Sequence, residues 1–257
     1  VIIPFDETSK NATQISCDTN GSYFKLNLDT DYNFLTVAQL GPRKNIHSLI
    51  QAFVNEFKDE KVGLVVKGFM KNNTVKDRSA SLNFIKNVAS SVENRKCKVY
   101  LLHGELTKNQ MSALYQSQKT KAYVTTTHGE GFGLPIFEAA SHGLPVISPS
   151  WSGQRDFLEL SEKTTLFCKI PHSLSPVQDH SIWENVIEKE AQWAYLSQED
   201  IQKSLREVYT NHKKYKRKAT TLKKKIAESF DENKKLTQLA NSVLSPLKEK
   251  GEKNEII

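Results

Sequence analysis

Short apolar runs separated by stretches of helical period predict an α/β fold with a doubly wound parallel sheet. Three observations carry that prediction. The apolar runs do not alternate strictly with polar residues, which is the pattern of strands buried on both faces. Amphipathic stretches long enough for helices lie between them. Caps, prolines and glycines stand where those stretches begin and end.

Residues 1–32 lack this rhythm and read as a connector or irregular segment. The strands expected after it are NFLTVA (33–38), VGLVVK (62–67), KVYLL (98–102), AYVTTT (122–127), PVIS (145–148) and TTLF (164–167). NIHSLIQAFVNEF, ASLNFIKNVASSVE, TKNQMSALYQSQ and GLPIFEAASHG are the intervening helices. Thr107 and Gln110 make a capping box. Pro135 suits the first turn of a helix that Gly143 should end. From about 179 to 208 the chain reads as helices and loops, and 209–250 as one or two long basic helices. The expected organisation is therefore 1–32, a sheet domain over 33–208, and a basic helical tail over 209–257.

The 38% hydrophobic and 25% charged residues are those of a globular, somewhat polar chain. No apolar run approaches the length of a membrane span, and VIIPFDETSK lacks the features of a signal peptide. Cys17, Cys97 and Cys168 are odd in number and widely spaced, so neither a disulfide framework nor a zinc site is expected, and a reducing, cytoplasmic compartment fits. The sequons at Asn11, Asn20 and Asn72 are what chance gives a chain rich in Asn and Thr. Of the net charge of +7, residues 203–250 carry +9, from fourteen Lys/Arg against five acids. That tail reads first as a solvated helix face. Its competing reading is attraction to an anionic surface, either a membrane leaflet touched peripherally or a polyanionic partner.

In a parallel sheet, ligands bind where strands run into helices. Two such loops carry chemistry. In QLGPRKN (39–45), Gly41 and Pro42 shape a turn and Arg43 and Lys44 place two cations before a helix start, which suits an anion. A surface turn with two solvated bases is the alternative. In HGEGFGLP (128–135), Gly129, Gly131 and Gly133 let a ligand approach the backbone. A dinucleotide fingerprint would need glycine at 134, where the chain has Leu134, so that reading fails. Glu130 and Glu138 suit vicinal sugar hydroxyls, which a carboxylate accepts in charge-assisted bonds. One lies in the loop and the other a turn into the helix, so they grip different parts of a ligand. Phosphate plus two sets of hydroxyls describes a nucleotide sugar.

EGFGLPIFEAASHGLPVI resembles the Glu-x7-Glu motif of retaining, family-4-like glycosyltransferases of the GT-B fold. LGPRKNIHSLIQAF is similar to that family's strand, phosphate loop and helix, VYLLHGELTKNQMSALYQSQKTKAYVTTT to the segment leading into the motif, and IIPFD (2–6) to its interdomain linker. The likeness covers about residues 1–160. It implies a Rossmann-like, C-terminal donor-binding half of a GT-B enzyme, and an N-terminal half, in cis or in trans, holding the acceptor. Lys44 and Arg43 would hold the donor diphosphate and act in catalysis with Glu130, which would contact the transferred sugar. Many relatives place an arginine where this chain has Gln39, so Arg43 must compensate. Glu138 would bind ribose hydroxyls. Gly41 and the amides of Gly131, Phe132, Gly133 and Leu134 would line the donor, and Leu106, in HGEL, would meet the base. The donor would be a UDP- or GDP-type sugar, the acceptor a glycan, lipid or protein hydroxyl, and no metal or other cofactor is expected.

Other candidates weigh less. Asp29-Thr30-Asp31 looks like a metal-binding D-x-D but precedes its strand. His128 suits sugar contact or backbone support equally. Lys67 ends a strand on the ligand-binding edge, Gly153 and Asp156 follow another, and Trp151, His103 and Cys97 read as packing residues. Serine hydrolase and zinc protease motifs are missing from the sequence. Two further functions stay open: a nucleotide-sugar-binding or regulatory module without transfer, and a polyanion-binding protein acting through the tail.

Overall fold

A computed structural model describes residues 2–4, 16–17, 24–25 and 28–252. Only Ile2, Ile3 and Pro4 of the linker-like run are among them; Phe5 and Asp6, and the sequons at Asn11 and Asn20, lie outside the described residues.

The strands are β1 (Ile2–Pro4), β2 (Ser16–Cys17), β3 (Phe24–Lys25), β4 (Tyr32–Gln39), β5 (Val62–Phe69), β6 (Lys98–Leu102), β7 (Thr120–Val124), β8 (Val146–Pro149), β9 (Cys168–Ile170), β10 (Ser173–Pro176) and β11 (Gln192–Tyr195). The helices are α1 (Ile46–Glu56), α2 (Val75–Ala89), α3 (Lys108–Gln116), α4 (Leu134–Ser141), α5 (Arg155–Leu158), α6 (Gln198–Thr210), α7 (His212–Ser229) and α8 (Glu232–Glu252). The main sheet runs β1-β6-β5-β4-β7-β8-β9. Six of its strands are parallel, and β1 adds antiparallel to β6 at the edge.

The two-residue period of the strands divides the core. Phe34, Leu64, Val66, Val99 and Val124 face α1, α2 and α6, meeting Ile50, Phe53, Ile85, Ile201 and Leu205. Leu35, Val65, Tyr100, Tyr123 and Val146 face the other way, onto Leu114, Ile136, Ala140, Leu222 and Ile226 of α3, α4 and α7. Burial on both faces explains why the runs read as apolar without alternation. The predicted doubly wound α/β sheet is present.

Local signals also hold. Thr107 Oγ accepts from the Gln110 amide (3.2 Å) and Gln110 Oε1 accepts from the Thr107 amide (2.9 Å), closing the capping box. Pro135 sits in the first turn of α4, and Gly143 follows its end at φ 74°. Several boundaries differ. Helix α2 starts at Val75 behind its Thr74 cap and ends at Ala89, where 80–93 was expected. The last parallel strand is Cys168–Ile170, not 164–167: Leu166 and Phe167 are buried before it, and pairing with β8 begins only at Ile147–Cys168. Thr125, Thr126 and Thr127 lie beyond β7: the Thr126 and Thr127 hydroxyls serve the neighbouring loop, and the Thr125 hydroxyl accepts from the Thr127 amide. Residues 173–195, expected in part as helix, form the β10–β11 ribbon, whose pairing is non-local and leaves no helical or strand period to read. Among the described residues, no helix is long and apolar enough to cross a membrane.

Candidate functional site

In sequence order the six parallel strands stack 3-2-1-4-5-6, so the order reverses between β4 and β7. Loops diverge at such a switch point and leave a crevice at the carboxyl ends of the strands. Both loops singled out in the sequence leave from there: residues 40–45 after β4, and 125–133 after β7.

The β4 loop turns through a 3-10 segment at Pro42–Lys44, and Asn45, at φ 51°, redirects the chain into α1. Gly41 closes the turn by accepting from the Lys44 amide (3.1 Å). The threonines after β7 stitch the two loops together. Thr126 Oγ1 donates to the carbonyl of Asn45 (2.9 Å), Thr127 Oγ1 to that of Arg43 (3.3 Å), and the His128 amide also donates to Arg43 (2.8 Å).

Three charged side chains then meet across the crevice. Lys44 Nζ lies 2.5 Å from Glu130 Oε1, and Arg43 Nη1 lies 2.9 Å from Glu130 Oε2. Arg43 Nη1 also donates to the carbonyl of Gly129. Side-chain exposure is 9% for Glu130, 18% for Lys44 and 39% for Arg43, so the carboxylate is largely withdrawn from water while its cations still reach it. Burial alone would raise the Glu130 carboxyl, but the hydrogen bonds and charges of Lys44 and Arg43 outweigh it and hold the group below the usual carboxylate range. The cations of the β4 loop are thus gathered onto a single carboxylate.

The β7 loop is braced by a third loop, the one in which the sequence singled out Gly153 and Asp156. The Glu130 amide donates to Ser152 Oγ (2.8 Å), and the Gly153 amide donates to the Glu130 carbonyl (3.0 Å). A Cβ on Gly153 would sit 1.9 Å from the carbonyl oxygen of Gly131, so only glycine fits there. Asp156, by contrast, points to solvent on α5. Gly133 takes φ 89° and its carbonyl accepts from the Ile136 and Phe137 amides, which starts α4 against the loop.

The remaining expected residues fall into place as follows. Glu138 lies in the second turn of α4 and accepts a hydrogen bond from the Tyr115 hydroxyl (2.9 Å), in a network separate from that of Glu130. Leu134 is 62% exposed at the mouth of the helix, whereas the Phe132 ring packs with Phe137, Phe157 and Phe230 and leaves only its backbone for a ligand. Leu106 packs on the apolar layer beneath α4. Lys67 is buried and donates to the Gly104 carbonyl (2.6 Å); desolvation lowers its pKa although Glu105 is close. His128 supports backbone: its Nδ1 lies 2.6 Å from the Ala194 carbonyl and its ring stacks on Trp193 at 4.8 Å, hooking the ribbon to the loop. Asp29 and Asp31 stand before β4, at the amino ends of the strands and away from the switch-point loops; there Asp31 is exposed and Thr30 is bonded to Asn33 and Tyr100. Sequence reasoning missed Tyr115, Ser152 and the three threonines, whose roles depend on which elements become neighbours.

Residues 21–174, more than half of the chain, match the family described as Glycosyl transferases group 1, and the chain belongs to that family. No curated protein matches it by sequence. Among solved structures it is similar to Anabaena HepE in complex with UDP and glucose, at 17% identity and a TM-score of 0.57 over 84% of this chain and 49% of HepE. It is similar to S. aureus TarM bound to fondaparinux, α-GlcNAc-glycerol and UDP, at 18% identity and 0.52 over 82% of this chain and 35% of TarM. A C-terminal domain of the glycosyl transferase LpcC from Francisella tularensis matches at 16% identity and 0.50, over 84% of this chain and 98% of that domain. The chain thus spans half or less of the first two, and nearly all of the isolated domain. At such identities the likeness shows the fold, which is the Rossmann-like α/β architecture of GT-B glycosyltransferases.

Proposed function

We propose that this chain is the donor-binding half of a retaining glycosyltransferase, which moves a sugar from a nucleoside-diphosphate sugar to an acceptor hydroxyl. The observation that carries the reading is the convergence of Lys44, Arg43 and Glu130 at the switch point of the sheet. Two cations beside the start of α1, with the amides of Gly131 to Leu134 ahead of α4, form a preorganised counter-charge for a departing diphosphate. Glu130 pairs with both cations. On donor entry the diphosphate takes over Lys44 and Arg43, and the released carboxylate turns to hydroxyls of the transferred sugar. Glu138 takes the ribose hydroxyls, and the turn at Leu106 borders the base. Because these cations meet the diphosphate charge, the transfer is expected to run without a metal ion. The acceptor, a glycan, lipid or protein hydroxyl, is supplied through an N-terminal half, as the partial coverage of HepE and TarM supports. Action in the cytoplasm, at most peripheral to a membrane, fits this reading.

Thermal shift against UDP, GDP, ADP and their sugars tests it. At least one raises the melting temperature, and Glu138→Ala abolishes the rise; a wild type indifferent to all of them, or a variant that responds unchanged, refutes the assignment. Donor hydrolysis and transfer measured with the N-terminal half restored separate an enzyme from a binding module.

A further inference from the structure

Glu138 is not simply an exposed glutamate on a helix. Its Oε2 accepts from the Tyr115 hydroxyl at 2.9 Å, and no other described side chain bonds its Oε1. Tyr115 itself cannot move easily. It is 2% exposed, lies among Leu114, Tyr123, Ile136 and Ala140, and stacks on His142 with ring centroids 5.4 Å apart at 27°. His142 is fixed in turn: its Nδ1 lies 2.7 Å from the main-chain oxygen of Glu138 and its Nε2 lies 2.7 Å from Ser112 Oγ. Ser112 and Tyr115 both belong to α3, while Glu138 and the C-cap His142 belong to α4. The two helices therefore hold one carboxylate through the phenol, and the imidazole and the serine keep that phenol in place.

Burial raises the Tyr115 phenol far above its ordinary value, helped by Tyr123 and Glu138, so the hydroxyl keeps its proton and remains a donor. A carboxylate can only accept, which fixes the direction of the bond. A free glutamate on a helix samples several rotamers, and ordering it on ligand binding costs about 1–2 kcal/mol of side-chain entropy. A carboxylate already held by one oxygen avoids much of that cost.

We propose that Tyr115 is a positioning residue: it holds one oxygen of Glu138 so that the carboxylate is preset to take the ribose hydroxyls of the nucleotide. The inference rests on the donor-site reading and adds the device that orients its ribose grip. It assigns a role to a residue outside the Glu-x7-Glu motif, on a different helix.

The test compares each of UDP, GDP and ADP with its 2′,3′-dideoxy counterpart by calorimetric titration of the 257-residue chain. The wild type prefers the ribonucleotide that binds best over its dideoxy form. Glu138→Ala removes that preference and reports the grip itself. Tyr115→Phe, which deletes only the hydroxyl, is expected to cut the preference about fivefold to tenfold while the dideoxy affinity and the melting temperature stay near wild type. Equal weakening of both nucleotide forms, or an unchanged preference, overturns the positioning role while Glu138→Ala still supports the site. A preference that survives Glu138→Ala overturns the site reading and this inference together.

Discussion

Cations appear in two very different settings in this chain. At the switch point, Arg43 and Lys44 are drawn from one loop onto the single carboxylate of Glu130, which is withdrawn from water. Along α7, Lys213, Lys214, Lys216, Arg217, Lys223 and Lys224 stand exposed, with Lys214 paired to Glu207 and Lys216 reaching the Gly143 carbonyl. Desolvation where the ammonium meets the Gly143 carbonyl, with the like charges of Lys223 and Lys121, lowers the pKa of Lys216. The buried face of the same helix, Tyr215, Ala219, Leu222 and Ile226, is ordinary packing. Charge density alone is therefore a poor guide to a site. Two cations on a loop whose carbonyls are pinned by threonine hydroxyls, and drawn onto a shared acid, are more defined in position than a longer run of solvated lysines.

Substitutions can break this contrast in order of expected effect. Gly153→Ala should act most strongly, because its Cβ would sit 1.9 Å from the Gly131 carbonyl and push the motif loop off its brace. A loss of about 2–3 kcal/mol in unfolding free energy is expected, together with loss of nucleotide response, read by denaturant melts and thermal shift. A variant with wild-type stability would show that the two loops are not locked together.

Acid should act next. The Glu130 pKa is depressed in the folded chain, so the stability it contributes is present above its unfolded value of about 4.3 and is lost as pH falls through the lower folded value. Unfolding curves of wild type and Glu130→Gln should thus differ near neutral pH and converge on acidification below about pH 4. A constant gap between them would mean that the carboxylate is not held by its two cations.

The smallest effect is expected on α7. Replacing Lys213, Arg217 and Lys224 together with Gln should change stability by less than about 0.5 kcal/mol and leave nucleotide affinity intact. Vesicle and heparin binding of the same variant tests the competing reading of the tail. Tight, steeply salt-dependent binding that these changes remove would give the helix a function of its own.

How much of this was legible from sequence depended on how local each feature is. The switch-point loops could be read because Gly41, Pro42 and the glycines of GEGFG announce turns, and because Pro135 and Thr107 mark helix starts within a few residues. The spacing of Glu130 and Glu138 then carried the family likeness, which the match over residues 21–174 bears out. His128 stayed ambiguous until Ala194 and Trp193, more than sixty residues away, were placed against it. Nothing near it in sequence singles out Tyr115, and only the packing of α3 on α4 gives its hydroxyl a carboxylate to hold. The β10–β11 ribbon was hidden for a related reason. Its strands are four residues each and pair across an excursion of fifteen, so neither shows a period of its own.

The comparison between the two cationic regions can be settled in one titration. Amide NMR shifts of the deuterated 257-residue chain, followed as UDP or GDP is added, report both regions at once. Shifts at Gly41, Lys44, Gly131, Gly133 and Leu134, with α7 unmoved, are what the switch-point site predicts. Shifts confined to Lys213–Ser229, with the crevice silent, would contradict it.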